Sequence, residues 1–268
     1  MKRVLLFTKR RAWHPHRAGN GHAATLRRVK SALNARGIAF DLRFRGERFD
    51  PARYDLVISV GGDGTFLEAS HALLGGKIFG VNSDTKHSVG RFTAADRANF
   101  QSRLDRLLSG RFRVEKLNRL KITLDGKTLP FFALNEALVC HASPAGMSHY
   151  LLRVGRIAEH QRSSGLWIAA AAGSSGAMLS AGGRLLPRNS RSIQYRPREL
   201  YEGHGVHYRL KGAVLSPGRG VTVVSRMREG MIFVDGMHYA VSFGYGRTLQ
   251  VSSGVPLNTI SFAVSSTS

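Results

Sequence analysis

The chain of 268 residues has a single cysteine, few acidic residues and no long apolar run. Its one cysteine, Cys140, cannot form an intramolecular disulfide, which excludes a disulfide-stabilised scaffold and favours a reducing compartment such as the cytoplasm. No stretch has the length and apolarity of a membrane span. The apolar run at residues 4–8 is too short for a secretory signal. We therefore expect a cytoplasmic protein with no membrane partner.

The scarcity of acidic residues leaves a strongly basic chain. There are 17 Asp and Glu against 40 Lys and Arg, a net charge of +23, and residues 1–53 hold 14 basic and 3 acidic side chains, net +11. Such a field attracts polyanions, including nucleic acid, polyphosphate and phosphorylated cofactors, in a salt-dependent way. A solvated basic surface without a specific partner accounts for the charge equally well.

The first hundred residues alternate between strand and helix patterns. The spacing of apolar residues predicts strands at 4–8, 38–44, 56–60 and 77–81 and helices at 23–35, 65–74 and 96–108. The continuous β-branched run at 56–60 is typical of a strand buried on both faces. Alternating elements predict a doubly wound α/β domain, which binds ligands at the carboxyl ends of its strands.

Beyond about residue 113 the pattern changes to short strands separated by glycine and turn residues. Strand-like segments occur at 120–124, 131–139, 150–154, 221–224, 231–234 and 249–251. We predict an α/β domain over residues 1–113 and a mostly β domain over 114–268, whose last residues are also compatible with a return to the first domain.

The pentapeptide GGDGT follows the run at 56–60 directly. Gly61, Gly62 and Gly64 allow turns and a close approach of a ligand to the backbone. Thr65 opens a helix whose free amides and positive dipole end favour phosphate. Asp63 fits there either as a helix cap or as a proton acceptor or metal ligand in phosphoryl transfer.

Two further stretches carry polar groups in unusual places. Asn135 and Glu136 interrupt the apolar segment at 131–139. They need partners, because burying them unsatisfied is costly. An amide can read a base edge and a carboxylate can accept from ribose hydroxyls, but a satisfied structural pair fits too. The small residues at 171–183 can lie under a flat ligand or serve a close helix–strand contact.

Together these stretches resemble the NAD kinase family. The resemblance rests on GGDGT at 61–65, GVNSD at 80–84, the Asn-Glu pair at 135–136, the small-residue segment with SAGG at 180–183, and VDGMHY at 234–239. Order and spacing fit over roughly residues 55–240. RSSGL at 162–166 and VNSD are most similar to the divergent mitochondrial-type branch. GGDGT alone is shared with lipid kinases and the wider phosphofructokinase-like group.

The resemblance implies an active site between two domains. It implies that the γ-phosphate of ATP passes to the adenosine-ribose 2′-hydroxyl of NAD with a divalent metal such as Mg²⁺, whose ligands it leaves unknown. Asp63 is the expected catalytic residue. Phosphate and ATP contacts are expected from Gly61, Gly62, Gly64 and Thr65. NAD contacts are expected from Asp63, Gly64, Phe92, Asn135, Glu136, Ser164, Ser175, Gly176 and Ser180.

The chain departs from the pattern of common bacterial NAD kinases in the segment that would bind NAD. Ser164 replaces an aspartate, Ala170 and Ala171 replace Thr-Pro, and Ala177 replaces an aromatic residue. Ser175 keeps a hydroxyl at the position of a threonine. The glycine turn and the Asn-Glu pair are intact, so we expect catalysis to be retained.

Several alternatives remain open at the sequence level. One is a related kinase that acts on a lipid or nucleoside, and another is a nonenzymatic nucleotide- or nucleic-acid-binding protein. Arginines between Tyr195, Tyr201 and Tyr208 fit a stacking surface for nucleic acid or ordinary strand edges. His14 and His16 lack a third ligand for zinc.

Two further expectations concern assembly and the basic N-terminus. We expect a homo-oligomer, a dimer or tetramer, because the resemblance implies one. Lys9, Arg10 and Arg11 follow the first predicted strand and therefore lie at the ligand-binding edge of its sheet. We hypothesise that some of them contact phosphates of ATP or polyphosphate, the alternative being a solvated loop.

Overall fold

The structure, a computed structural model, describes residues 3–10, 21–203, 205–236 and 239–262. The chain divides into two compact units, one formed by Met1–Lys116 with Leu257–Ser268 and the other by Leu117–Pro256. The boundary predicted from sequence lies between residues 113 and 114, close to this division. Within the described ranges, no helix is long and apolar enough to cross a membrane.

The first unit is an α/β domain. Its strands are β1 (Arg3–Thr8), β2 (Ala39–Phe44), β3 (Leu56–Gly61), β4 (Lys77–Asn82), β5 (Ala95–Asp96), β6 (Arg113–Leu117) and the last strand of the chain, β19 (Leu257–Ser261). Its helices are α1 (Gly21–Asn34), α2 (Asp63–Ala72) and α3 (Phe100–Leu108), with a 3-10 turn at Pro51–Arg53.

The sheet of this unit has the order β2-β1-β3-β4-β19-β6, with β5 beside β4. Strands β1 to β4 and β19 pair in parallel. All six residues of β3 are buried, as expected for a central strand covered on both faces. Helices α1 and α3 share a core with one face of the sheet, through Val29, Leu33, Phe100 and Leu104. The predicted α/β fold is confirmed.

The second unit is built from antiparallel sheets. Its strands are β7 (Leu120–Leu124), β8 (Lys127–Ala133), β9 (Glu136–His141), β10 (Ser148–Val154), β11 (Ile157–Ser163), β12 (Gly165–Ala170), β13 (Ile193–Arg198), β14 (Ala213–Leu215), β15 (Gly220–Ser225), β16 (Gly230–Val234), β17 (Tyr239–Ser242) and β18 (Thr248–Ser253). A 3-10 helix at Ala172–Ser175 leads into the short helix α4 (Ala177–Ser180).

These strands form two six-stranded sheets, ordered β11-β10-β15-β18-β7-β8 and β14-β13-β12-β9-β16-β17. Apolar side chains of both sheets belong to one hydrophobic cluster, in which Ile122 of the first sheet and Ile168 of the second are fully buried. The two sheets therefore share a common core. The mostly β character predicted for the second part of the chain is confirmed.

Two predicted elements have different limits in the structure. The prediction of a single strand at 131–139 is wrong. Strand β8 ends at Ala133, β9 begins at Glu136, and the two strands belong to different sheets. The helix expected to begin at residue 96 begins at Phe100. The Asp96 carboxylate accepts hydrogen bonds from the amides of Ala98 and Asn99, which makes a turn there instead.

Candidate active site

The glycine turn joins the end of β3 to the start of α2 with little free space. A Cβ atom on Gly61 would overlap the side chain of Thr65, and one on Gly62 would lie 2.5 Å from Ser88 Oγ. A Cβ atom on Gly64 would have Arg45 Nη1 as its nearest neighbour, at 3.8 Å. Packing therefore disfavours a side chain at 61, where three atoms of Thr65 are in the way, whereas at 62 only Ser88 would have to move and at 64 the fold itself leaves room.

Asp63 is the first residue of α2 and is half-buried. The helix cap position is Gly62, which has no side chain to offer, and Asp63 Oδ1 instead accepts a hydrogen bond of 3.0 Å from the amide of Phe92. The carboxylate is therefore fixed by a distant loop rather than by capping its own helix. The positive end of the helix dipole stabilises its negative charge.

Phe92 is almost fully buried, and its ring stacks on Phe66 with the ring centroids 5.3 Å apart. In this unit its contact with the site is made by its backbone amide, which holds Asp63. The structure thus gives Phe92 a structural role beside the NAD contact expected from sequence, which stays a prediction.

Polar side chains gather where β1, β3 and β4 end. The Thr8 hydroxyl donates to the Val60 carbonyl at 2.9 Å, and the Ser83 amide donates to the Gly61 carbonyl at 3.0 Å. His22 Nδ1 lies 2.8 Å from Ser83 Oγ. The strand order changes direction between β1 and β3, and this is the place where open α/β sheets bind ligands.

His22 has an environment that opposes its protonation. Burial lowers the pKa of the imidazole, and the nearby Lys9 ammonium lowers it further. The ring is therefore favoured in its neutral form, which can both donate and accept hydrogen bonds. This histidine was missed at the sequence level, because only the packing of α1 beside the strand ends brings it to Ser83.

In the second unit, Asn135 lies between β8 and β9, and Glu136 is the first residue of β9. The carboxylate of Asp235 accepts hydrogen bonds from the amides of Leu134, Asn135 and Glu136, at 2.8, 2.7 and 3.1 Å. In return, the Asp235 amide donates to the Glu136 carbonyl at 3.0 Å. This one carboxylate satisfies the backbone where the chain passes from one sheet to the other.

Asp235 was not among the predicted site residues, although the Asp-Gly turn that contains it was noticed. Its backbone has φ of 49°, a left-handed conformation that Asp tolerates better than most residues. Two further residues of that motif, Met237 and His238, lie outside the described residues. The Asp-Gly turn was the one feature of the sequence that pointed to Asp235. Its contact with residues 134–136 could not be predicted, because those residues are far from it along the chain.

Glu136 has a raised affinity for protons. Burial and the negative charge of Asp235 raise the pKa of its carboxyl to about 8. A ligand that donates hydrogen bonds to this carboxylate, as a ribose hydroxyl does, would favour its ionised form. Glu136 can therefore change its charge near neutral pH when a ligand binds.

The small-residue segment packs directly against Asn135. The Ala170 amide donates to the Asn135 carbonyl at 2.8 Å. A Cβ atom on Gly173 would lie 2.5 Å from the carbonyl carbon of Asn135. The close-packing interpretation of this segment is thus confirmed at Gly173. Ser175, which is half-buried, and Gly176, which is exposed, follow this contact within three residues.

Other predicted site residues lie in surroundings that do not include the Asn-Glu pair. The Ser164 amide donates to the Arg198 carbonyl at 2.9 Å, and Ser180 is exposed at the end of α4. Among the described contacts, neither residue touches Asn135 or Glu136. Arg10 forms an ion pair of 2.9 Å with Glu47, while Arg11, His14 and His16 lie outside the described residues.

The structure gives little support to a nucleic-acid stacking surface formed by the tyrosines or to a metal site. Tyr195 and Tyr208 are buried, and the ring of Tyr201 lies 4.5 Å from the guanidinium of Arg162, so these tyrosines do not form an open stacking surface. In the part of the chain that is described, no group of three or more His, Cys, Asp or Glu side chains could hold a metal. Cys140 is half-buried, and burial raises its pKa.

The parallel α/β sheet ends in a glycine turn with a fixed carboxylate at the start of the following helix, an arrangement suited to binding phosphate groups beside an acidic side chain. Residues 15–112 match the family model of the ATP-NAD kinase N-terminal domain. A probable NADH kinase of Oryza sativa subsp. japonica is 37% identical over 259 residues, covering 88% of this chain and 80% of that protein. The chain belongs to the NAD kinase family.

Further comparisons agree with this assignment. An NADH kinase of Arabidopsis thaliana is 32% identical over 264 residues, covering 88% of this chain and 82% of that protein. The structure of an Archaeoglobus fulgidus NAD kinase in complex with ATP matches with a TM-score of 0.76 at 24% identity, covering 97% of this chain and 93% of that one. The structure of yeast NADH kinase complexed with NADH matches with a TM-score of 0.79 at 14% identity, covering 98% of this chain and 84% of that one. The two structures show that the fold is shared.

Proposed function

We propose that the protein transfers the γ-phosphate of ATP to the adenosine-ribose 2′-hydroxyl of NAD or NADH, giving NADP or NADPH. The observation that carries the proposal is the Asp63 carboxylate, fixed by the Phe92 amide at the start of α2 in the glycine turn. NADH stands beside NAD as an acceptor because two similar plant proteins are named NADH kinases.

In the proposed reaction the 2′-oxygen attacks the γ-phosphorus, and the bond from that phosphorus to the bridging oxygen of ADP breaks. The proton of the hydroxyl passes to the Asp63 carboxylate, which acts as general base. Gly61, Gly62, Gly64 and Thr65 would bind phosphate oxygens through backbone amides and the helix dipole.

The second unit would bind the dinucleotide. The Asn135 amide suits the edge of adenine, and the Glu136 carboxylate suits the ribose hydroxyls as an acceptor. Additional contacts are proposed from Phe92, Ser164, Ser175, Gly176 and Ser180. The departures from the common bacterial pattern fall in or beside this set, so NAD affinity is the property most open to change.

A divalent cation such as Mg²⁺ fits the residues of the first unit. Mg²⁺ is usually held by one or two carboxylates together with substrate phosphates rather than by an all-protein cage. Asp63, a half-buried carboxylate beside the glycine turn, would be that ligand if its role is to organise the metal rather than to take the proton. When bound, the cation would neutralise charge on the β- and γ-phosphates.

The proposal is tested by incubating the purified protein with each acceptor, NAD or NADH, and each donor, ATP or polyphosphate, with and without Mg²⁺. We expect ATP- and Mg²⁺-dependent formation of NADP or NADPH, measured with an NADP(H)-specific cycling assay. Absence of product with both acceptors would overturn the proposal. Phosphorylation of a lipid or nucleoside instead would establish the alternative kinase.

The role of Asp63 is tested by Asp63→Asn against a matched control, Asp96→Asn. Asp96 lies in the same unit, is half-buried and also accepts hydrogen bonds from backbone amides. We expect kcat of Asp63→Asn to fall by about 10²- to 10⁴-fold, the usual contribution of a general base. The control should keep wild-type kcat.

We also propose that the protein acts in the cytoplasm, as its single cysteine suggests, and that it assembles as a dimer or tetramer, as the family resemblance suggests. Light scattering coupled to size-exclusion chromatography measures the oligomeric state directly.

The hypothesis for Lys9, Arg10 and Arg11 is tested by their joint replacement with alanine. We expect a higher KM for the phosphate donor, and an unchanged KM would reject the hypothesis.

A further inference from the structure

Arg119 is a fully buried cation immediately before β7. Its Nε donates to the Val255 carbonyl at 2.9 Å, and its guanidinium lies 5.0 Å from the centre of the Phe132 ring. Burial lowers the pKa of Arg119 to about 10, so the group is still a cation at neutral pH. A buried charge is costly unless an opposite charge compensates for it.

The compensating charge belongs to Asp235, which is 4% exposed. Its interaction with Arg119 raises the pKa of the guanidinium against the effect of burial. The same carboxylate accepts the three amide hydrogen bonds from residues 134–136. The Asp235 carboxylate is therefore hydrogen-bonded to the backbone of the Asn-Glu pair and interacts electrostatically with the buried Arg119 cation.

These hydrogen bonds hold the backbone at the turn that carries Asn135 and Glu136. In a regular strand, neighbouring side chains point to opposite faces. Leu134 is fully buried, but Asn135 and Glu136, although adjacent, are both only half-buried. Both can reach a ligand because the strand is interrupted here, and the Asp235 carboxylate satisfies the amides that the interruption leaves without strand partners.

We propose that Asp235, supported by Arg119, is a positioning residue that presents Asn135 and Glu136 together to the dinucleotide. Neither residue needs to touch the substrate, since Asp235 acts through the backbone of residues 134–136 and Arg119 acts through the charge of Asp235. The inference rests on the proposed function, because its main measurement is the KM for NAD or NADH.

Another turn in the same unit provides a closely matched control. Asp125 also has φ of 49° and also precedes glycine, and it forms an ion pair of 2.7 Å with Arg247. Its carboxylate accepts a hydrogen bond from the Thr248 amide at 2.8 Å. It differs in being exposed and in supporting a hairpin rather than the Asn-Glu pair.

The experiment compares Asp235→Asn and Asp125→Asn in the full chain. We expect Asp235→Asn to raise KM for NAD or NADH by about tenfold, with kcat and the KM for ATP within about threefold of wild type. The amide nitrogen of asparagine cannot replace a carboxylate oxygen as an acceptor from a backbone amide. Asp125→Asn should leave all three values unchanged.

A merely structural role gives a different result. It would lower the amount of folded enzyme and hence the apparent kcat, while the remaining molecules would keep both wild-type KM values. That outcome, with an active wild type, would overturn the inference. A wild type that forms neither NADP nor NADPH would instead reject the proposed function.

Arg119→Lys serves as a second variant if Asp235→Asn does not fold. It keeps the cation but loses the planar guanidinium, and we expect a rise of about threefold in KM for the dinucleotide alone. A double-mutant cycle of Asp235→Asn with Glu136→Gln adds a further check. The two effects on KM should be less than additive, since both act on one binding element, and full additivity would contradict the proposal.

Discussion

The glycine turn of the first unit and the Asn-Glu turn of the second are held in place by different means. In the first, the turn packs on its own neighbour Thr65, and Asp63 is held by an amide 29 residues away. In the second, the supporting carboxylate of Asp235 is 100 residues distant from Asn135. The proposed catalytic group thus lies on a largely local structure, whereas the groups proposed to bind the dinucleotide depend on the assembly of a whole unit.

Among the substitutions that test this comparison, Gly61→Ala in the glycine turn should have the largest effect on stability and kcat. The new methyl group would overlap the Thr65 side chain and force the start of α2 to move. We expect a loss of about 1–3 kcal/mol of stability, the usual cost of overpacking. We also expect a fall of about 100-fold in kcat, because a displacement near 1 Å has that consequence. Urea unfolding and steady-state kinetics measure the two effects.

Gly64→Ala separates packing from ligand approach in the same turn. A methyl group here meets nothing closer than 3.8 Å, and alanine favours the helix by about 0.5–1 kcal/mol over glycine. Stability should therefore be kept or increased, while a higher KM for ATP would indicate that phosphate approaches the backbone at 64. Equal destabilisation by both substitutions would contradict the packing described for this turn.

Glu136→Gln tests the second region through opposite effects on binding and stability. Because burial and Asp235 raise the pKa of Glu136 from 4.5 to about 8, the free protein loses stability as the pH rises through this window. Glutamine removes that loss, so the variant should unfold at a temperature about 2–4 °C higher at pH 8, equivalent to roughly 1 kcal/mol.

The same variant should raise KM for NAD or NADH by about tenfold, because a neutral amide replaces the carboxylate that is proposed to accept from ribose hydroxyls. At pH 4.5 its stability should approach that of wild type. Thermal unfolding at pH 4.5 and 8, together with kinetics at pH 8, checks both effects. A variant that is no more stable at pH 8 than wild type would contradict the environment described for Glu136.

The smallest effect is expected at His22, at the edge of the first region. Its lowered pKa means that the folded protein favours the neutral ring, so stability is present above about pH 6.5 and is lost as the pH falls below it. His22→Asn should weaken this dependence between about pH 7.5 and 5.5, as measured by urea unfolding. Exposed His160→Asn is the control and should retain the wild-type dependence.

The contrast between the regions explains what could be predicted from sequence. The parallel strands, α2 and the position of Asp63 were predicted because apolar runs and glycine turns are local patterns. The break between β8 and β9 was missed, since it depends on hydrogen bonds to Asp235 across 99 to 101 residues. Arg119 was missed for the same reason, because nothing near it in sequence indicates a buried cation influenced by the charge of Asp235.

The central claim is that Asp63 performs the chemistry while Asn135 and Glu136 bind the dinucleotide. The most direct test measures kcat and the equilibrium Kd for NAD or NADH on the same preparation of Asp63→Asn. We predict a Kd within about threefold of wild type together with a kcat lowered by about 10²- to 10⁴-fold. A large loss of dinucleotide affinity, or a kcat equal to that of wild type, would contradict it.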